Sequence, residues 1–481
     1  MDVDAINPIE MQYVGEKCDI ETAESIVSTV REECEKQVNW RELPSLPLEK
    51  IYSFLDRFDR VNMSLVCRKW SEGYSSPSAW KIFRFALMES MISVDSCPGM
   101  KFVRKYSSMF RHVDIYYHII LPSQKDLIYI WCRHFIVFLQ MLTSNSQLIS
   151  VKIHNLFWCF VHIDTSTSGD VKRAITSFLG SQRYLKRVEF DYCFHNLEEY
   201  MELLKELTKS SRDSITHFGL RGLTICDSKA KEQDSTAADS LLMLIGLPSL
   251  TTLAIDYSWI FENLFACQSA VMKTLKNCQT RVKLSKLILD YDSCYDIEHF
   301  RGLTSADWQF LKKLYPDLQV ELNFTTRLPS RREVEFLIVP DMPIACLNLR
   351  DDIYDLNPND SSLMEIDVLF ARLLQCKTSD HLVSLCFKLE LPIPDLASTF
   401  IPILQACKKL KCLDLSIIYP TSGIDLLFES WLENRPESLK KVFIEISGVE
   451  DDHDYRILKK LTTEYVSSLE LVGLNVKVVI Y

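Results

Sequence analysis

Glycine is scarce in this chain, with 12 among 481 residues, against an average usage of roughly 7%. That shortage disfavours phosphate-cradling loops and folds built from many tight β-hairpins. Neither a G-x-x-x-x-G-K-[ST] loop nor G-x-G-x-x-G, H-E-x-x-H or G-x-S-x-G occurs. Sixteen cysteines are present, yet no C-x-x-C pairs them, so metal-ligand spacing is missing and a reducing cytoplasmic or nuclear setting is expected. The chain opens without the basic-then-apolar order of a signal peptide. Its most apolar stretch, LIYIWCRHFIVFLQML, is interrupted by Arg133 and His134 and is expected to be a buried amphipathic helix. The net charge of −11 argues against nucleic acid or an anionic membrane as the main partner.

What is present is ordinary for a folded protein with a sizeable core: 47% hydrophobic and 25% charged residues. Residues 1–39 carry ten acidic and three basic side chains and are expected to be a mobile acidic lead-in. Order is expected from WRELPSLPLEKIYSFLDRFDRVNMSLVCRKW onward. There Leu48, Ile51, Tyr52 and Leu55 recur at helical spacing. Asp59 suits an N-cap for a second helix, on which Met63, Val66, Cys67 and Trp70 repeat the spacing while Arg68 and Lys69 face water. Ser76 and Pro77 open a third, carrying Trp80 and Phe83 inward. On this reading Cys67 is a packed thiol, the alternative being a reactive thiol activated by the nearby cations.

Three helices in so short a span make a thin core that wants a partner to cover its remaining apolar surface. The ordered set Leu43-Pro44, Ile51, Leu55, Val66-Cys67, Trp70 and Trp80 resembles the F-box. Gly73 departs from that pattern, which usually has an aliphatic residue there, and Tyr74 is expected to take over the packing. The resemblance implies docking onto a Skp-type adaptor and, through it, a cullin-RING ubiquitin ligase. The eight matching positions would form the docking surface or its supporting core. The F-box is bounded at 40–86.

From residue 90 to 481 a second pattern recurs, L-x-x-L-x-L with any large apolar residue at each L. Examples are Phe110-Val113-Ile115, Leu148-Val151-Ile153, Leu250-Leu253-Ile255 and Leu410-Leu413-Leu415, with weaker copies near 318–324 and at the C-terminal LELVGLNVKVVIY. This resembles a leucine-rich-repeat solenoid of about 12 irregular strand–helix units, an α/β fold in which each unit buries its apolar face on the next. Cys407, three residues before Leu410, resembles the turn-plugging cysteine of such repeats.

The combination resembles F-box proteins with leucine-rich repeats, which implies a substrate-recognition subunit of an SCF-type ubiquitin ligase. Such a protein is not an enzyme, needs no cofactor and holds a protein substrate on its array. The alternative is a non-degradative scaffold or regulator that binds the adaptor without delivering substrates. Asp-Tyr recurs at strand ends, and Tyr192, Tyr257, Trp259 and Tyr291 are candidate substrate anchors, since Tyr and Trp dominate binding hot spots. The competing reading is that they seal the turns of the array. The carboxylate-rich runs 351–360 and 450–455 are expected to be loops, with no metal site.

Overall fold

The computed structural model describes residues 40–55, 57–87, 97–118, 120, 124–194, 197–222, 247–257, 283–291, 297, 302–324, 330–350, 366–388, 393 and 395–481. The acidic lead-in 1–39, Trp259 and the run 351–360 lie outside the described residues. The chain divides into two compact units, Met1–Ala79 and Trp80–Tyr481.

The first unit is helical: α1 covers Ser45–Phe54, α2 Arg57–Ser64 and α3 Arg68–Tyr74. The continuous helix expected from Asp59 through Trp70 is instead two helices. Leu65 N–H bonds the Asn62 carbonyl at 3.1 Å and Val66 N–H that of Met63 at 3.2 Å, tight closures that end α2. Cys67 is then extended (φ −161°, ψ 168°) and stands as the N-cap residue of α3. Side-chain spacing runs through such a break unaltered, so periodicity alone does not reveal it. The third helix is a short 3-10 turn over Pro77–Trp80.

The second unit holds a parallel sheet of 13 strands, hydrogen-bonded in chain order from β1 to β13. They are β1 (Ile82–Phe85), β2 (His112–Tyr116), β3 (Ser150–His154), β4 (Arg187–Asp191), β5 (His217–Arg221), β6 (Thr252–Asp256) and β7 (Lys286–Tyr291). Then come β8 (Gln319–Phe324), β9 (Ile344–Arg350), β10 (Ser384–Lys388), β11 (Cys412–Ile418), β12 (Lys441–Ser447) and β13 (Asn475–Ile480). Among the described residues the helical returns begin with α4 (Pro98–Tyr106), α5 (Lys125–Asn145), α6 (Leu156–Phe160), α7 (Thr165–Ser181) and α8 (Leu197–Ser211). They continue with α9 (Ser305–Leu314), α10 (Arg331–Leu337), α11 (Ile366–Gln375), α12 (Leu396–Ala406), α13 (Ile424–Asn434) and α14 (Asp452–Leu471).

Every repeat motif read from the sequence falls on a strand, and the motifs stack in register. Val113 pairs with Val151, Val151 with Val188, Val188 with Phe218 and Phe218 with Leu253. Ile115, Ile153, Phe190, Leu220 and Ile255 form the parallel row beside them. All ten side chains are buried. Period-2 alternation thus turns each strand's apolar face to the core. The copy at 318–324 is weak because Leu318, Val320, Leu322 and Phe324 alternate strictly, without the three-residue first step. A bulge between Val320 and Glu321 then resets the register against β9.

The apolar stretch containing Arg133 and His134 is α5, as expected. Ile128, Trp131, Cys132, Phe135, Phe138, Leu139 and Leu142 recur on its buried face. Strand β1 was not anticipated, because Trp80, which with Phe83 and Phe85 completes the spacing of the motif, was assigned to the F-box; Phe83 and Phe85 are buried and pair with Val113 and Ile115. At the other end Val476 is buried while Val478 and Ile480 are half-buried, because β13 pairs only with β12. The run 450–455 starts α14: Asp451 is its N-cap, accepting N–H bonds from His453 at 2.6 Å and Asp454 at 3.2 Å.

Candidate adaptor-docking surface

The helical unit is organised around Tyr52, which is fully buried and donates its hydroxyl to the Trp70 carbonyl at 2.7 Å. Burial, with Tyr74 and Cys67 nearby, pushes its phenol up to about 12. Leu48 lies one turn earlier and is also buried. A Cβ at Gly73 would stand 2.8 Å from Leu48 Cδ2 and 2.9 Å from Tyr52 Cε2, so the missing side chain is what allows α3 to sit this close to α1. Tyr74 takes up the packing, its ring edge-on to Tyr52 at 6.3 Å. The departure at Gly73 therefore trades an aliphatic side chain for the half-buried ring of Tyr74.

Polar ties fix the remaining pieces. Trp70 Nε1 donates to the Trp40 carbonyl at 2.9 Å, and Lys69 Nζ to that of Glu42 at 3.1 Å. Arg60 donates to the carbonyls of Tyr52 (3.0 Å) and Ala79 (2.7 Å), closing the unit from α2. Ser78 Oγ donates to Glu49 at 2.6 Å. Sequence reading did not single out Arg60, whose role rests on backbone acceptors that leave no side-chain pattern.

With Leu48, Tyr52 and Met63 inside, several large apolar side chains remain in water. Leu46 is 78% exposed, Phe54 75%, Phe58 73%, Leu65 78% and Val66 56%. Phe58 and Val61 stand at i, i+3 along α2 and so share a face, and Leu65 follows directly after the helix ends. Lys50 Nζ sits 4.9 Å above the Phe54 ring, covering it only partly. Burying side chains of this kind is worth roughly 1.5–3 kcal/mol each, and a cluster of them left exposed marks an interaction surface.

The eight positions read from the sequence divide by environment. Pro44 and Val66 are exposed; Leu43, Ile51, Leu55, Cys67 and Trp70 are half-buried. Trp80 is buried in the second unit, packed on Phe102 at 4.5 Å and stacked on Tyr106 at 5.6 Å, so it supports the sheet and presents no docking surface. The most exposed apolar residues, Leu46, Phe54, Phe58 and Leu65, were missed. Their signal was a surplus of large apolar side chains, Leu46 and Phe54 on α1, Phe58 on α2 and Leu65 just after it, beyond what the core of so small a unit uses.

The candidate substrate anchors are corrected by burial. Tyr257 and Tyr291 lie in the interior, 6.5 Å apart edge to face, with Tyr257 Oη donating to the Leu337 carbonyl at 3.4 Å and Tyr291 Oη to Glu333 at 2.7 Å. Each residue following Asp256 or Asp290 turns its ring toward the returning chain, the turn-sealing role. Tyr192 is half-buried at φ 50°, its ring against Gly222, which itself has φ 69°. Trp259 lies outside the described residues.

It is the aspartates of these Asp-Tyr pairs that face the open side of the sheet. Asp191 and Asp114 flank His154, at 3.3 and 3.1 Å. Asp256 accepts the Gly222 N–H at 3.2 Å, and Asp290 pairs with Arg221 at 2.7 Å and Asn323 at 2.8 Å. Lys152, Arg187 and His217 converge on Glu189, and Lys286 meets Glu321 at 2.7 Å. From β1 to β9 the open face is thus a neutralised polar ladder. It offers paired charges, and no nucleophile joins His154 among its hydrogen-bond partners. Among the described residues no group of three His, Cys, Asp or Glu is placed to hold a metal ion.

Comparison with known proteins agrees with the helical geometry. The protein-family profile described as the F-box domain matches residues 40–72. Proteins named F-box/LRR-repeat protein 21 are similar over the same end: those of Bos taurus and Mus musculus are each 36% identical over 56 residues, and that of Ovis aries 33% over 57. Each match takes in 12% of this chain and 13% of the relative's own length. Residues 40–72 are an F-box domain, and a parallel α/β repeat array follows it.

Proposed function

We propose that this protein is a substrate-recognition subunit of an SCF-type, cullin-RING ubiquitin ligase. The helical unit docks a Skp-type adaptor and the repeat array binds a protein substrate; ubiquitin transfer takes place on other subunits. Cytoplasm, nucleus or both is the corresponding location. The observation that carries this reading is the set of exposed apolar side chains Phe58, Val61 and Leu65, with Leu46, Phe54 and Val66, inside an F-box domain. Among the described residues of this unit, Leu48, Tyr52, Met63 and Ala79 are buried while these larger side chains stay in water.

The test is a double substitution, Phe58→Asp with Leu65→Asp, in the full chain. Both side chains are mostly in water already, so the fold should be kept, with thermal unfolding near that of the parent. Co-purification with the adaptor should be lost. Full adaptor binding by the folded double variant would overturn the reading.

A further inference from the structure

The polar ladder changes character beyond β9. Lys408 and Lys409 lie in the turn after α12, Lys411 at the entry to β11, and Lys440 and Lys441 at the entry to β12; all five are exposed. The N–H groups of Lys440 and Lys441 both bond the Lys411 carbonyl at 3.0 Å, so the backbones of these three lysines adjoin where the two parallel strands begin. Lys441 opposes Cys412 on one side and Asn475 on the other. Lys477 extends the group onto β13, its Nζ 5.7 Å from the Phe443 ring.

Among the described residues, no carboxylate lies within 4 Å of any of these six ammonium groups, whereas the cations within the strands β1 to β7, Arg84, Lys152, Arg187, Arg221 and Lys286, each meet one. The carboxylates of the same strands, Asp414 and Glu445, stand further toward the strand exits, and Glu445 is engaged by Ser416 Oγ at 2.8 Å. In the neighbouring turn, burial lowers the His381 pKa, Lys312 and Lys409 lower it further, and Asp380 opposes them. A concentration of unpaired cations in a chain of net charge −11 calls for an anionic occupant.

We propose that Lys408, Lys409, Lys411, Lys440, Lys441 and Lys477 form a docking surface for a carboxylate-rich segment of a partner protein. The inference rests on the reading of the array as a substrate holder and names the chemistry of what it holds. Charge complementarity selects the occupant. Three strands at about 4.8 Å spacing present a patch that roughly four extended residues cover. The cluster consists of lysines alone, point charges without the planar fork that matches phosphate bidentately. A long polyanion would also feel the repulsion of the surrounding acidic chain, which a short segment largely escapes.

The test uses the full-length protein and a fluorescein-labelled oligoglutamate peptide of about ten residues, read by fluorescence anisotropy at low salt. Lys411→Glu, Lys440→Glu and Lys441→Glu combined should weaken binding by about tenfold or more. The charge-removing set Lys411→Gln, Lys440→Gln and Lys441→Gln should weaken it less. Reversing Lys459 and Lys460 on α14 should leave it close to parental. Equal affinity of the parent and the triple-Glu variant overturns the proposal. So does tighter binding of a single-stranded oligonucleotide that loses the same affinity in that variant, which would make the patch a nucleic-acid site. Adaptor co-purification is followed in parallel. Its retention by the triple-Glu variant keeps failure of this inference separate from failure of the ligase reading.

Discussion

The hydroxyl of Tyr52 on α1 reaches the backbone carbonyl of Trp70 on α3 across 2.7 Å and ties the first described α-helix to the third directly. Because Trp70 in turn holds the Trp40 carbonyl through its indole N–H, the bond connects the buried centre of the F-box to its leading turn. Tyr52→Phe keeps the ring and removes this bond. It should cost about 1 kcal/mol and speed amide hydrogen exchange across residues 40–79, with the array unchanged. Unaltered exchange in that region would show that ring packing alone fixes α3.

Cys67 offers a graded test of accessibility. As the half-buried N-cap residue of α3, it should react with an alkylating reagent more slowly than the exposed Cys412. It should react faster than the fully buried Cys132, Cys159 and Cys193. Burial also keeps the Cys193 thiol protonated, which slows it further. Mass spectrometry of the native protein after timed labelling ranks the five. Protection of Cys67 equal to that of Cys193 would restore the packed stripe position expected from spacing.

His154 should make the array sensitive to alkaline pH. Burial pushes its pKa down, but the hydrogen bonds it donates to Asp114 and Asp191 more than offset this and raise it to about 9. A raised folded-state pKa stabilises fully below the unfolded value, near 6.5, and the contribution is lost as pH climbs through 9. Stability should therefore fall by about 1–3 kcal/mol between those limits. His154→Gln should flatten the fall. A parent and variant with parallel pH–melting curves would show that His154 is neutral in the fold.

Removing residues 475–481 takes away β13 and leaves Val442 and Ile444 of β12 at a new edge. Buried Val476 and Leu474, at the close of α14, lie at this end. The truncated chain should be cut by protease earlier than the parent in the region after Leu410. Equal resistance would mean that the last strand adds nothing to its neighbours.

The sequence-level reading succeeded where one chemical constraint repeats. Burial of alternate residues on a strand imposes period 2, which twelve strands carry in the sequence, and Val113 stacks on Val151 and Ile115 on Ile153 as a result. It failed where the decisive fact is the absence of a neighbour. Phe58 and Leu65 look like core positions until the small first unit proves to have no layer above them. Tyr257 and Tyr291 look like surface anchors until the returning chain closes over them. The break at Val66 and Cys67 is set by backbone angles, which apolar spacing does not encode. Strand β1, four residues with an exposed isoleucine and arginine, is too short to declare a period.

The strand order has a consequence for synthesis. Each strand from β2 onward bonds to the one immediately before it in the chain, so its partner has always left the ribosome first. A nascent chain can therefore consolidate behind the exit tunnel, adding one strand at a time to an edge that is already formed. Only the newest edge waits for its successor, and among the described strands the last to wait is β13.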